Sequence, residues 1–94
     1  MAEPGLSQLI DAFDRLAVAG FTMGAEWEAV HNLCQAREGD KPFDWAHALC
    51  HRIEGDEWNA DYWYRSAGKA KSTGEFAAEW AAMRRVLTSA PQHP

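Results

Sequence analysis

Apolar residues recur in this chain at three- and four-residue steps and nowhere alternate with a period of two, a pattern that admits helices and excludes a half-buried sheet. Leu6, Leu9, Ile10, Phe13 and Leu16 draw one stripe down a first helix over 6–19, which ends at Gly20. Thr22 is placed to cap a second helix over 23–38, with Met23, Trp27, Val30 and Cys34 on one face and Gly39 as the left-handed residue beyond its end. Asp40 and Pro42 open a third over 42–54. Asp56 then caps a fourth over 57–68, whose inward side carries Ala60, Trp63, Tyr64 and Ala67. Ser72-Thr73-Gly74-Glu75 has capping-box spacing ahead of a fifth helix over 73–88, with Phe76, Trp80, Met83 and Leu87 as its stripe. The tail APQHP, residues 90–94, is expected to fray. A chain of 94 residues suits one domain over 1–94, because two separate cores could not offset their conformational entropy. The fold class is therefore all-α, a compact bundle of about five short helices joined as antiparallel hairpins.

Composition narrows the partners. Apolar residues make up 47 % of the chain and five of them are Trp, large side chains that let a short sequence bury much area from few positions. Nine Lys and Arg against fourteen Asp and Glu leave a net charge of −5, which repels a phosphate backbone, so nucleic acid is not an expected partner. Cys34 and Cys50 are too few for a disulfide framework and sit inside apolar helical patterns, which points to a reducing cytoplasm. The opening MAEPGLSQLIDAF carries no basic region, and no apolar run approaches the roughly 18 residues of a membrane span, so neither export nor a membrane partner is expected.

Self-comparison adds a repeat. HNLCQAREGD at 31–40 and HALCHRIEGD at 47–56 agree at six of ten positions, with His, Leu, Cys, Glu, Gly and Asp recurring sixteen residues on. Most of this is capping chemistry, since Gly ends one helix with positive φ and the following Asp accepts the orphan N–H groups that start the next. The histidines need a separate account. His47 and His51 project from one face of the third helix, and an antiparallel hairpin turning near residue 40 brings His31 level with Cys50 and His51. Three imidazoles, two thiols (Cys34, Cys50) and the carboxylate of Glu54 could thus meet, a donor set suited to zinc or another divalent transition metal. Glu28 and His31 also make a Glu-x-x-His step. The alternative is a polar seam in which the imidazoles hydrogen-bond to one another, to Glu54 or to Gln35.

Other chemistry has weaker support. Neither thiol has an activating helix N-terminus, and no glycine-rich phosphate loop is present. Asp11, Asp14, Glu26 and Glu79 read as solvated faces. Tyr62-Trp63-Tyr64 covers three directions on a helix, so Tyr62 and Trp58 must point away from the core that takes Trp63 and Tyr64. With Arg65 and Arg52 they are candidate binding residues, because exposed aromatic and Arg side chains make interface hot spots.

His31 with Gln35, then His47, His51-Arg52, Glu54-Gly55-Asp56, Asn59-Ala60, Tyr62-Trp63-Tyr64-Arg65 and Ala67-Gly68 together resemble the pattern of a family of small uncharacterised helical proteins, mostly bacterial. Val30 and Ser66 depart from it, standing where Ala and a second Arg are expected. The resemblance implies a helical fold and marks these residues, but implies no reaction. The third and fourth helices also faintly resemble a tetratricopeptide-like hairpin. The expected function is a cytoplasmic binding module for a protein partner or for itself as a homodimer, with a metal-binding protein centred on His31, His47 and His51 as the alternative.

Overall fold

In the computed structural model, which describes residues 4–89, the chain forms α1 (Pro4–Val18), α2 (Ala25–Gln35), α3 (Lys41–Glu54), α4 (Glu57–Ala67) and α5 (Phe76–Thr88), with no strand among those residues. The tail expected to fray lies outside the described residues. None of the described helices is long and apolar enough to cross a membrane.

The organising element is α3, which is buried on two faces. Phe43, Ala46, Leu49 and Cys50 meet the stripes of α1 (Leu9, Ala12, Phe13, Leu16), α2 (Trp27, Val30, Cys34) and α5 (Trp80, Met83, Leu87) in the main core. Ala48, on the other side, packs with Ala60 and Tyr64 of α4. Each large side chain so buried contributes about 1.5–3 kcal/mol of transfer free energy, which is why stripes of four or five hold helices this short. Both neighbours run antiparallel to α3. The Trp27 indole donates to the Cys50 carbonyl at 2.8 Å, while Lys41 and Asp44 at the start of α3 meet Ser66 at the end of α4.

The α3–α4 corner forms as the Gly-Asp pair requires. Gly55 holds φ at +86°, and Asp56 accepts from the Asn59 backbone N–H at 3.2 Å and from its side-chain amide at 2.6 Å. A Cβ at Gly55 would meet nothing within 4 Å, so the cost of Gly55→Ala is purely conformational. A loss of about 1 kcal/mol is expected in the urea midpoint, and an unchanged midpoint would show that the corner does not need its left-handed residue.

The other Gly-Asp pair is built differently. Gly39 has φ of +95°, but α2 ends at Gln35, and residues 36–39 are turns. Asp40 begins α3 without a side-chain cap and accepts from Arg37 at 2.6 Å, while the Gly39 N–H donates to the buried Asp44 at 3.1 Å. Two expected starts also move. Thr22 does not cap α2, because its hydroxyl donates back to the Ala19 carbonyl at the end of α1. Gly24 occupies the cap position, and Met23 is left exposed. The Ser72–Glu75 box does not form, since α5 begins at Phe76 with Glu75 at the cap and no side-chain cap bond.

Glu79 is the largest departure from expectation. It is 6 % exposed, not on a solvated face, and its carboxylate accepts from Trp45 Nε1 at 3.1 Å, Arg52 Nη1 at 2.6 Å and the Tyr64 hydroxyl at 2.5 Å. Position explains it, because Glu79 lies three residues after Phe76 and four before Met83, on the inward stripe of α5. Arg52 completes the arrangement, donating to the Gly74 carbonyl at 2.7 Å and lying over the Phe76 ring. At the far end of α5, Trp80 and Arg84 both donate to Asp14 of α1.

A candidate metal centre of three histidines

His47 and His51 stand one turn apart on the central helix, and His31 faces them from α2. The antiparallel register brings His31 level with His47 rather than with Cys50, about one turn from the expected pairing, because α2 stops at Gln35 and four turn residues take up the rest. His31 still reaches both partners. Its ring meets those of His47 and His51 edge-on at centroid distances of 4.8 and 5.2 Å, and the latter two stack at 4.9 Å. Each imidazole offers a nitrogen, and the three nitrogens lie within 4.8 Å of one another.

Two indoles wall the cluster. Trp27 stacks on His31 with centroids 4.7 Å apart, and Trp63 stacks on His47 at 4.0 Å. Tyr62 in turn meets Trp63 edge-on. Trp63, expected in the core, is only partly buried, with its ring laid on His47 at the edge of the α3–α4 contact. These walls were not foreseen, although the four-residue step from Trp27 to His31 is a signal for the first. His47 is 2 % exposed and His51 8 %, whereas His31 is only partly buried. The cluster therefore opens on the His31 side.

The hydrogen bonds restrict the protonation states. His51 Nδ1 lies 2.8 Å from Glu54 Oε1, so this nitrogen carries the proton and, in the neutral ring, Nε2 is a bare donor atom. That is the carboxylate–histidine pairing which orients metal ligands. The Nε2 atoms of His31 and His47 face each other at 3.2 Å. A single N–H between them would account for this distance; so would a shared ion, since two nitrogens bound tetrahedrally at 2.0–2.1 Å lie about 3.3 Å apart. His47 Nδ1 is buried without a hydrogen-bond partner. Burial, with the neighbouring His51 and His31 charges, pushes His47 down to about 3. Burial also lowers His31, with His51 adding to the effect and Glu54 and Glu38 opposing it. His31 and His47 are thus favoured as neutral imidazoles, the form that binds metal.

The remaining candidates separate. Cys34 and Cys50 are free and fully buried in the main core, and they hydrogen-bond to each other outside the three-histidine group. Burial raises the Cys50 thiol well above its usual range, so it is a packing group and not a nucleophile. Glu54 positions His51, while Gln35 and Glu28 are exposed. A second group, His51, Glu54 and Asp56, has its Asp56 carboxylate engaged in capping α4. Arg52 serves the fold through Glu79. Trp58 and Tyr62, 76 and 49 % exposed, stand one turn apart on the outer side of α4, and Arg65 is exposed near them. Compared with family models, curated proteins and solved structures, the chain matches none, and the functional reading rests on the geometry of the three imidazoles.

Proposed function

We propose that the protein binds one divalent transition-metal ion on His31, His47 and His51, with zinc the best suited. The observation that carries this reading is the convergence of three imidazole nitrogens from two helices within 4.8 Å. Imidazole suits zinc, copper, iron and nickel, and an all-nitrogen set without thiolate or carboxylate disfavours magnesium and calcium. The Glu54 carboxylate behind His51 supports it, since metal-binding imidazoles are commonly oriented by a carboxylate on the other ring nitrogen.

Protein purified without a histidine tag is expected to carry near-stoichiometric metal, or to take up one equivalent of zinc after stripping. Occupancy at a hundred times Kd adds about 2.7 kcal/mol, so chelation should lower Tm by roughly 10–20 °C in a domain of this size. His47→Gln should abolish both the uptake and the response to chelator. Trace metal together with a melting curve indifferent to chelator and to zinc would leave the triad a hydrogen-bonded seam.

A second reading is favoured by Trp58 and Tyr62, whose exposed rings one turn apart suit a protein partner or a second copy of the chain. Sedimentation of the same preparation tests self-association. We place the protein in the cytoplasm, where its two adjacent free thiols stay reduced.

A further inference from the structure

We infer that the metal on this triad keeps one coordination position open to an exogenous small monoanion, so that the centre is a ligand-binding site and not a structural clamp. This rests on the metal reading above. Among the described residues, no fourth His, Cys or carboxylate belongs to the three-histidine group. The nearest carboxylate, Glu54, is held on His51 Nδ1 at 2.8 Å, and the free thiols are hydrogen-bonded to each other in the core. Zinc sites with three protein donors complete a tetrahedron with water or a small ligand, whereas structural sites use four.

Charge selects the ligand class. Three neutral imidazoles leave a divalent ion at +2, which the two carboxylates beside His51, the exposed Glu54 bonded to it and the half-buried Asp56 that caps α4, offset only in part because both are in reach of solvent. A monoanion compensates what is left on the covered side, which matters because His47 and His51 are buried and the indoles of Trp27 and Trp63 cover two sides. Glu38 faces His31 from the exposed end, where solvent screens it. A dianion would leave a net negative charge in the same pocket. Size is limited too, since the indoles lie flat against His31 and His47. Entry is from the side on which His31 is only partly covered.

Cobalt(II) in place of zinc makes the coordination visible in its d–d spectrum. Adding azide to the cobalt-loaded full chain is expected to shift that spectrum along a saturable one-to-one isotherm, and sulfate at equal ionic strength is expected neither to reproduce nor to reverse it. In Glu54→Gln the local charge rises, so azide should bind several-fold more tightly. Bound cobalt whose spectrum ignores azide would mean that a fourth protein donor closes the shell, and the inference falls while the metal reading stands. If only the Glu54→Gln protein responds to azide, Glu54 is that donor. Displacement of azide by sulfate overturns the monoanion class. A chain that retains no cobalt on dialysis overturns the metal reading and this inference together, and metal analysis before any azide is added identifies that case.

Discussion

Glu79→Ala is expected to destabilise the fold by about 3–5 kcal/mol, a large part of the 5–15 kcal/mol that a domain typically has. The carboxylate is nearly buried and serves three donors from two other helices, Trp45 and Arg52 of α3 and Tyr64 of α4. Removing it leaves the Arg52 guanidinium, whose side chain is 8 % exposed, charged with only the Gly74 carbonyl as a hydrogen-bond acceptor. Tyr64 and Trp45 each lose an acceptor as well. Urea denaturation gives the value directly. A shift below about 1 kcal/mol, the scale of a surface ion pair, would mean that water replaces the carboxylate at little cost. Zinc affinity of the folded fraction should be unchanged, since α5 supplies no donor to the triad.

The metal-free protein is expected to lose about 3 kcal/mol of stability between pH 6.5 and about pH 4, through His47 above all. Its folded value is pushed from 6.5 to about 3 by burial first and then by the His51 and His31 charges. A group depressed in this way binds protons in the unfolded chain throughout that window and not in the native one. Its contribution is therefore fully present above pH 6.5 and is lost as the pH falls towards 3. His31 acts in the same direction. Asp14, held below its usual range mainly by Arg84, contributes acid loss only lower down, so the upper part of the slope belongs to the imidazoles. Urea midpoints measured with chelator present should decline from about pH 6.5 in the natural chain and less steeply in His47→Gln. Equal slopes, or a His47 resonance titrating near 6.5, would contradict the buried cluster. Bound metal should steepen the decline, because acid also releases the ion.

Most helices were legible because their apolar residues keep a three- and four-residue rhythm, and the Gly55-Asp56 corner because each residue type has one job there. The triad was legible for a related reason: His47 and His51 share a helix face, and a short antiparallel connection could only return His31 nearby. Its register was off by about one turn, since the four turn residues after Gln35 follow from no apolar pattern. Glu79 was misread because a carboxylate on an amphipathic helix normally faces water, and its partners lie 15 to 34 residues away on helices whose packing the sequence does not state. Asp44 is similar, buried beside Gly39 and Ser66, and local pattern does not supply Ser66. The separation of thiols from imidazoles was also hidden. His31 and Cys34 are one turn apart, as are His47 and Cys50, yet within each pair the three-residue offset sends sulfur to the main core and the imidazole to the triad.

The order of the helices along the chain bears on synthesis. The imidazoles lie on α2 and α3, their aromatic walls on α2 and α4, and the orienting carboxylate at the end of α3, so every part of the triad falls between Trp27 and Trp63. Helices α1 to α4 each pack on the next in the chain, contacts of short sequence separation, whereas α5 must reach back 66 and 70 residues for Trp80 and Arg84 to meet Asp14. On a ribosome the chain emerges N-terminus first. The donor set is thus complete before the core is closed, and a nascent chain of α1 to α4 already carries all the atoms that would capture an ion while Glu79 and Trp80 are still to come.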